Sequence, residues 1–402
     1  MPLPAYIPMI TIHLKKGRDK PVRSGHPWIF SGALSRVEGA IAGAGVPGEA
    51  CTVLSSSGEA LGSGYYNPAS AISVRMLSSG KIPFTVSDLK KRIDRAVDLR
   101  EKLIDKETTS AYRLINSEGD FLPGLIVDRY ADGLCIQVLT AGMEQFREDF
   151  IPHLQSILSP RYIYERSDTD ARKREGLGPR QGLLGGSLPD PLVIMENSLR
   201  FNVDLQSGQK TGLFLDQRCN RRLVGAYAKN AAVCDCFAYA GGFTVHALVS
   251  GAKFVHAIDI SRSALSLAQS NIRLNALTCA RDHFVAADVF TYLRETNELY
   301  DLIILDPPKF ARHPGEVAKA ARGYKDINLQ AFKRAAPDAV IFTFSCSNAV
   351  DLKLFRQIVF SAAADSGRGV QVLHILGAGP DHPVNIAHHE GDYLKGFALR
   401  VE

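Results

Sequence analysis

Short apolar runs separated by longer amphipathic segments dominate the second half of the chain. Two of them, residues 302–305 and 340–343, each precede a polar motif. Runs of this length are typical of strands buried in a parallel sheet. Further runs of the same kind lie at 232–237, 254–259 and 283–288. The alternation with helical segments predicts an α/β fold for residues 188–402, with a parallel sheet covered by helices on both faces.

The earlier part of the chain has a different pattern. Residues 1–80 combine short alternating apolar runs with many Gly, Ser and Pro residues, which predicts a small β-barrel-like domain with Trp28 in its core. Residues 81–187 begin with an amphipathic helix, for which Ser87 is a candidate N-cap. A hairpin and a third strand should follow, giving an α+β middle domain. We therefore expect three domains, with bounds 1–80, 81–187 and 188–402.

Composition narrows the class of protein. The 402 residues are 46% hydrophobic and 22% charged, as in ordinary soluble domains. No apolar run approaches the length of about 18 residues needed to span a bilayer, and residues 1–10 lack the basic start of a secretory signal. The scattered cysteines have no metal-ligand spacing, so we expect reduced thiols, a cytoplasmic location and no metal. The net charge of +5 permits a nucleic-acid partner without establishing one.

Acidic residues stand at or just beyond four successive predicted strands: Asp235, Asp259, Asp288 and Asp306. Ligands of open α/β sheets bind beyond these strand ends, where an acid after the second strand suits ribose hydroxyls. Gly241 in the first loop would allow a ligand close to the backbone. That loop begins with an acid and lacks a complete G-x-G-x-x-G. It therefore favours S-adenosylmethionine, which carries an ammonium group, over a dinucleotide pyrophosphate.

Two motifs should face one crevice at these strand ends. D-P-P-K-F occupies residues 306–310, and F-S-C-S occupies residues 344–347. An acid beside a thiol suggests chemistry on a planar, nitrogen-rich ring, and hence a base-modifying enzyme. A basic run at residues 166–174 is either a solvated face or a contact for RNA phosphates, and the pattern leaves both readings open.

Motifs along nearly the whole chain resemble those of the bacterial class I methyltransferases that methylate carbon 5 of a cytosine in large-subunit ribosomal RNA. The matching segments are G-H-P-W-I-F-S-G-A-L (25–34), L-P-G-L-I-V-D-R-Y (122–130), Y-E-R-S-D (164–168), G-Q-K-T-G-L-F-L-D-Q-R (208–218), D-C-F-A-Y-A-G-G-F (235–243), L-D-P-P-K-F (305–310), R-G-Y-K-D-I-N (322–328), F-S-C-S (344–347) and E-G-D-Y-L-K-G (390–396). The resemblance implies a PUA domain at the N-terminus, a Rossmann-like C-terminal domain, S-adenosylmethionine as methyl donor and ribosomal RNA as partner.

The chemistry of the reaction suggests roles for three residues. Carbon 5 of cytosine is a poor nucleophile, and a thiolate that adds to carbon 6 activates it. The D-P-P-K motif contains no Cys, so the expected nucleophile is Cys346, whose strand should neighbour the strand that ends at Asp306. Cys236 in the cofactor loop is the next candidate. Lys309 could supply the positive charge that a thiolate needs. Asp306 could hold the target amino group or act as a base, and both roles stay open.

The same reasoning gives two further sets of residues. The expected cofactor-binding residues are Asp216, Asp235, Phe237, Tyr239, Gly241, Asp259, Asp288 and Asp306. The expected RNA-binding residues are Arg172, Lys173, Arg174, Arg322, Lys325 and Phe310, with Tyr324 as a second aromatic that could stack on an extruded base.

Two other functions compete with the leading one. A family that methylates guanine at its ring nitrogen 7 shares the D-P-P-K-F motif and needs no thiol, because that nitrogen is already nucleophilic. A non-catalytic RNA-binding protein would need only the fold, although the retained strand-end acids argue against it. A homodimer is a further expectation.

Overall fold

The fold was analysed in a computed structural model, which describes residues 10–39, 45–206, 213–311 and 314–402. The strands are β1 (Ile10–Leu14), β2 (Trp28–Ile29), β3 (Leu34–Glu38), β4 (Glu49–Leu54), β5 (Ala60–Tyr66), β6 (Val74–Ser79), β7 (Ala111–Asn116), β8 (Leu125–Tyr130), β9 (Gly133–Val138), β10 (Tyr162–Ser167), β11 (Arg180–Gly186), β12 (Leu192–Glu196), β13 (Leu199–Val203), β14 (Ala232–Cys236), β15 (Phe254–Asp259), β16 (Phe284–Ala286), β17 (Tyr300–Leu305), β18 (Ala335–Ser345), β19 (Val370–Gly377) and β20 (Lys395–Val401). The α-helices are α1 (Lys20–Arg23), α2 (Val86–Leu103), α3 (Ala141–Gln145), α4 (Arg147–Leu158), α5 (Asp170–Arg174), α6 (Arg218–Gly225), α7 (Gly242–Val249), α8 (Arg262–Leu274), α9 (Val289–Glu295), α10 (Val317–Arg334) and α11 (Leu352–Ser366).

The N-terminal region forms a six-stranded sheet in the order β2-β6-β5-β4-β1-β3. Alternate residues of β1 are buried, as expected for strands with one face on a core. Trp28 lies outside that core, which corrects its predicted place. Its indole N–H donates to Glu118 at 2.8 Å, and its ring centroid is 4.3 Å from that of His388. Its polar N–H finds an acceptor at the junction with the rest of the chain.

The middle region is a five-stranded sheet in the order β11-β10-β9-β8-β7, with α2 and α4 packed on it. Helix α2 begins one residue before Ser87, and its N-cap is Thr85. The Thr85 side chain accepts from the Asp88 N–H, and the Asp88 carboxylate accepts from the Thr85 N–H, which is a complete capping box. The predicted cap at Ser87 was therefore wrong, because the reciprocal pair two residues earlier supplies the cap.

The C-terminal region contains a seven-stranded sheet in the order β16-β15-β14-β17-β18-β20-β19. The predicted α/β fold is confirmed. Alternate residues of β17 face two different cores: Ile303 packs with α10 and α11, and Ile304 packs with α6 and α7. The five predicted strands, β14 to β18, are parallel. Two further strands were not predicted, and one of them, β20, runs antiparallel to both β18 and β19. Strand β19, which follows α11, does not pair with β18. Strand β20 lies between the two and pairs with both.

The middle and C-terminal regions are joined through the buried carboxylate of Asp381. That carboxylate accepts from the Arg218 guanidinium at 2.9 Å and from the Arg113 N–H at 3.0 Å. The Asp381 carbonyl accepts from Arg100 at 2.8 Å, and Arg100 is itself paired with Asp120. Burial by itself would raise the pKa of Asp381, but the facing His382 and Arg218 side chains lower it well below its usual value. We refer to these residues as the Asp381 junction.

Within the described residues, no helix has the length and apolar character needed to cross a membrane.

Removing the Asp381 carboxylate should destabilise the protein strongly. Asp381→Ala leaves the Arg218 guanidinium buried without its counter-charge, which typically costs about 3–5 kcal/mol. Asp365→Ala is the matched control, because Asp365 is half exposed and pairs with Lys325 at 2.7 Å. An exposed pair of this kind contributes about 0–1 kcal/mol. Denaturant unfolding of both variants measures the difference, and equal losses would contradict the role assigned to the Asp381 junction.

Candidate active site

Three parallel strands end side by side at one edge of the C-terminal sheet. Cys236 of β14 is in register with Leu305 of β17, and Leu305 is in register with Thr343 of β18. The carboxyl ends of parallel strands lie at the same edge. The structure therefore brings Asp306 and Cys346, which follow β17 and β18, to neighbouring positions beside the end of β14.

Asp235, the penultimate residue of β14, is 1% exposed. One carboxylate oxygen accepts from the Thr244 hydroxyl at 2.6 Å, while the other has no hydrogen-bond partner among the described residues. Burial, reinforced by the negative charges of Asp306 and Asp259, raises the pKa of Asp235 to about 7. A cationic group placed against the unpaired oxygen would be strongly favoured, so this carboxylate fits the ammonium end of S-adenosylmethionine.

The loop after β14 has a strained backbone. Phe237 and Tyr239 both have positive φ angles, of 63° and 47°, which are uncommon for residues other than glycine. Gly241 has φ of 74°, and a Cβ there would lie 2.8 Å from the Cβ of Ala268 on α8. The Tyr239 N–H donates to Asp259 at 3.0 Å, which holds the loop against β15. Such strain is typical of ligand-binding turns.

The other predicted cofactor acids have different surroundings. Asp259 accepts from the Tyr239 and Ser261 N–H groups, and its partly exposed oxygens can each accept a further hydrogen bond. Asp216 is buried and accepts from the Tyr393 hydroxyl at 2.6 Å. Asp288 is exposed and caps α9 through the Thr291 N–H, which accounts for its position without a ligand.

Asp306 is held by a side chain that sequence reasoning missed. Its carboxylate accepts from the Gln217 amide at 3.0 Å, and the Gln217 carbonyl accepts from Asn220 at 2.6 Å. Gln217 stands within the G-Q-K-T-G-L-F-L-D-Q-R motif, which was the available signal. Lys210 of the same motif lies outside the described residues. The amide contact fixes the direction of the Asp306 carboxylate at the strand end.

Cys346 is partly exposed, with its Sγ 3.8 Å from the Pro307 carbonyl oxygen. The loop that follows it is held by Lys395, a residue to which the sequence analysis assigned no role. The buried Lys395 ammonium donates to the Ser347 and Val350 carbonyls at 2.9 and 2.7 Å, and burial lowers its pKa. Lys309 is exposed nearby, with its Nζ 6.0 Å from the centroid of the Tyr393 ring.

The remaining cysteines lie in other surroundings. Cys51 is buried in β4 and Cys135 in β9, and Cys234 and Cys236 are buried within β14. Cys279 lies 3.6 Å from the Val255 carbonyl, near the amino end of β15 and away from the strand ends that carry the acids. Cys219 is exposed on α6, two residues after Gln217. Cys346, the residue directly after β18, is therefore the cysteine that adjoins the D-P-P-K-F strand end.

The predicted RNA contact at residues 172–174 is wrong for its first member. Arg172 is 2% exposed, and its guanidinium donates to the Val138 carbonyl at 2.8 Å and to Glu144 at 2.6 Å. These bonds use Arg172 to hold the middle region together, so it has no surface to offer RNA. Lys173 and Arg174 are exposed.

The other predicted RNA-binding residues lie on or beside α10. Arg322 and Lys325 both belong to this helix; Arg322 is exposed, and Lys325 pairs with Asp365. Phe310 is half-buried, with its ring centroid 4.6 Å from that of Tyr324. Tyr324 is buried, and its hydroxyl hydrogen-bonds Ser347 at 3.0 Å. The idea that Tyr324 stacks on a base was wrong, because it supports the loop after Cys346.

Comparisons with known proteins agree with this architecture. Residues 181–355 match the model of the S-adenosylmethionine-dependent methyltransferase family, and residues 12–79 match that of the PUA-like domain. A protein from Streptococcus mutans described as a candidate S-adenosylmethionine-dependent methyltransferase has the same fold, with a TM-score of 0.83, 23% identity and coverage of 98% of this chain and 100% of that chain. Another solved methyltransferase, in complex with S-adenosylhomocysteine, gives a TM-score of 0.84 at 23% identity over 98% of this chain and 100% of that chain. The fold and site define an S-adenosylmethionine-dependent methyltransferase with a PUA-like N-terminal domain.

Curated relatives narrow the family further. The ribosomal RNA large subunit methyltransferase I of Tolumonas auensis is 42% identical over 397 residues, covering 97% of this chain and 99% of the relative. That of Aeromonas salmonicida is also 42% identical, covering 98% of this chain and 99% of the relative. The chain belongs to the ribosomal RNA large subunit methyltransferase I family.

The raised pKa of Asp235 should make stability depend on pH. Folding favours the protonated carboxyl, so its stabilising contribution is present at low pH and is lost as pH rises through about 7. Relative to Asp235→Asn, the wild-type protein should lose about 2–3 kcal/mol between about pH 5 and pH 8, since one pKa unit corresponds to about 1.4 kcal/mol. Denaturant unfolding across this range measures the difference. Asp301→Asn, at an exposed position on β17, is the control, and a pH-independent difference for Asp235→Asn would refute the assignment.

Proposed function

We propose that this protein methylates carbon 5 of a cytosine in large-subunit ribosomal RNA, with Cys346 as the nucleophile. The observation that carries the proposal is the partly exposed Cys346 thiol at the end of β18, beside the strand end that bears Asp306. Carbon 5 of cytosine needs covalent activation by such a group, whereas a ring nitrogen of guanine does not. The names of the curated relatives support ribosomal RNA as the substrate.

The cofactor pocket would be built from the loop after β14 and the acids around it. Asp235 would face the ammonium group, and Asp259 would accept from the ribose hydroxyls. Gly241 permits close approach of the backbone. Phe237, Tyr239 and Asp216 would line the rest of the cofactor pocket. Asp288 uses one carboxylate oxygen to cap α9, so its other oxygen would be available to the adenine base of S-adenosylmethionine. S-adenosylmethionine, when bound, supplies a methyl group activated by a positively charged sulfur.

The reaction would proceed through a covalent adduct with the RNA base. The Cys346 thiolate would form a bond from Sγ to carbon 6, and the electron pair of the ring double bond would make carbon 5 nucleophilic enough to take the methyl group. S-adenosylmethionine, once bound, would give up that methyl group and leave as S-adenosylhomocysteine. A base then removes the proton from carbon 5, the double bond reforms, and the Sγ bond breaks to return the thiolate. Asp306 is placed to hold the exocyclic amino group or to receive that proton.

Two lysines would support the thiolate in different ways. Lys309 is exposed at the mouth of the site and can bring its charge towards the base or its phosphate. Lys395 is already engaged with the Ser347 and Val350 carbonyls, so it acts by fixing the loop that carries Cys346. A thiolate is stabilised by nearby positive charge.

The RNA would follow an exposed basic path. Lys173, Arg174 and Arg322 are exposed and can contact phosphates, while Lys325 would first have to leave Asp365. Phe310 is placed to cover an extruded base, and the PUA-like domain would hold flanking structure. A cytoplasmic location belongs to the same proposal, since ribosomal RNA is the substrate. A homodimer stays a prediction.

Replacing the thiol should abolish turnover without loss of binding. Cys346→Ala is expected to lower methylation by several orders of magnitude, because the base is no longer activated, while it still binds S-adenosylmethionine and RNA. It should also fail to form a covalent adduct with RNA that contains 5-fluorocytosine. Methyl transfer from labelled S-adenosylmethionine and denaturing gels measure the two effects.

Cys219→Ala is the matched control for this experiment. Cys219 is exposed on α6 and adjoins Gly379 rather than the D-P-P-K-F strand end. Its replacement should leave both turnover and the adduct intact. Near-normal turnover of Cys346→Ala would contradict the thiol mechanism and favour methylation of guanine at nitrogen 7. If the wild-type protein does not bind S-adenosylmethionine, a non-catalytic RNA-binding role would be favoured.

The ribose contact can be tested separately. Asp259→Ala should weaken S-adenosylmethionine binding by about 1–3 kcal/mol, the scale for losing a charge-assisted hydrogen bond. Asp88→Ala serves as control, because it removes a carboxylate that also accepts from a backbone N–H but lies on α2, in the middle region. Calorimetric titration gives both affinities, and an unchanged value for Asp259→Ala would show that this acid only holds the loop.

A further inference from the structure

Three imidazoles surround one carboxylate that has no part in the proposed reaction. A carboxylate oxygen of Glu390 lies 3.2 Å from Nε2 of His26, 3.5 Å from Nδ1 of His389 and 3.7 Å from Nε2 of His388. The ligating atoms of His26, His389 and Glu390 all lie within 4.8 Å of one another. We refer to these four residues as the His26–Glu390 cluster.

The His26–Glu390 cluster joins two parts of the fold. His26 precedes β2 in the N-terminal sheet, and the other three residues lie in the segment between β19 and β20 of the C-terminal sheet. The separation of 364 residues between His26 and Glu390 explains why the sequence showed no metal-ligand spacing. Their meeting is a product of how the PUA-like domain packs on the methyltransferase domain.

His388 has hydrogen-bonding capacity that the described residues do not satisfy. Its side chain is 5% exposed, and neither ring nitrogen has a hydrogen-bond partner among these residues. Buried polar atoms are rarely left in this state, and a bound ion can supply the partner that such an atom lacks. The Nε2 atom of His388 is also the one that lies near the Glu390 carboxylate.

The surroundings of His26 suit a metal ligand. The ring is held by the Trp28 backbone: its Nδ1 accepts from the Trp28 N–H at 3.1 Å, and its Nε2 then donates to Glu390 at 3.2 Å. A cation at Nε2 requires the other tautomer, in which Nδ1 donates to the Trp28 carbonyl, 3.2 Å away. Metal-binding histidines commonly donate their second ring nitrogen to a carbonyl in this way. The same contact would fix the ring so that Nε2 points at Glu390.

The charges favour a cation over an anion. Glu390 stands at the centre of the cluster, with a carboxylate oxygen within 3.7 Å of a nitrogen of each of the three imidazoles. A phosphate would meet that carboxylate. Imidazole nitrogens together with one carboxylate oxygen form a ligand set suited to Zn²⁺, whereas Mg²⁺ and Ca²⁺ prefer oxygen ligands.

We propose that the His26–Glu390 cluster binds a zinc-class divalent cation that fastens the PUA-like domain to the methyltransferase domain. His26, His389 and Glu390 supply the ligands, and His388, with its Nε2 3.7 Å from the Glu390 carboxylate, is a further donor. The expectation of no metal, drawn from the spacing of the cysteines, is revised accordingly. The cluster shares no residue with the proposed chemistry, so it stands whether or not Cys346 is the nucleophile.

The test uses the full-length protein, freed of metal by a chelator and then titrated with ZnSO₄ by calorimetry. The wild-type protein should bind one Zn²⁺ at this site, and added zinc should raise its melting temperature. His389→Ala, Glu390→Gln and His26→Ala should each weaken binding by at least about tenfold. The His389 side chain is 85% exposed, so its replacement should leave the fold intact even if the other variants are unstable. Binding of Co²⁺ should give the visible absorption of a tetrahedral site.

The matched control is His13→Ala. His13 pairs with Glu38 at 2.9 Å on β1 and β3 of the same N-terminal sheet, and this variant should bind zinc as the wild-type protein does. Absence of saturable binding, or equal zinc affinity in wild type and His389→Ala, would overturn the proposal. Stabilisation by inorganic phosphate but not by zinc would also overturn it, since the cluster would then be an anion site formed by protonated histidines.

Discussion

The buried carboxylate of Asp381 is the constraint on which the geometry of the site depends. The carboxylate accepts hydrogen bonds from Arg218 at the start of α6 and from the backbone N–H of Arg113 in β7. The backbone carbonyl of Asp381 accepts from Arg100 of α2. Arg218 directly follows Gln217, the residue that holds Asp306. A single carboxylate therefore ties the middle region to the turn beside the proposed catalytic acid, and removing any one of these partners would leave a charge buried without compensation.

Three further side chains hold the residues of the proposed site in place at the strand ends. Gln217 directs Asp306, Tyr393 contacts Asp216, and Lys395 holds the loop after Cys346. Two of these residues come from the start of β20 or just before it, the antiparallel strand inserted beside β18. The strand that breaks the parallel pattern is thus also the one that supports the proposed nucleophile, which gives the mixed sheet a functional reason.

The predictions that succeeded rested on local patterns. Apolar runs located the strands of the C-terminal sheet, and the parallel arrangement then placed Cys346 beside the strand of Asp306. The failures share a different cause. Arg172 looked like a surface charge, Tyr324 like a free aromatic and Trp28 like a core residue, yet each is defined by partners distant in the chain. A charge run in a sequence does not reveal which of its members is turned inward.

By itself, the sequence determined the α/β class, the parallel strands and the polar residues that follow each of them. Strand burial and turn chemistry are local properties of the chain, so they can be predicted from short segments. Only the tertiary structure decided which acid keeps a buried oxygen without a partner among the described residues, which cysteine lies beside the D-P-P-K-F strand end and which histidines lie around Glu390. Those outcomes depend on desolvation and on contacts between residues hundreds of positions apart. Such contacts exist only after the three regions have packed together, and no spacing along the chain encodes them.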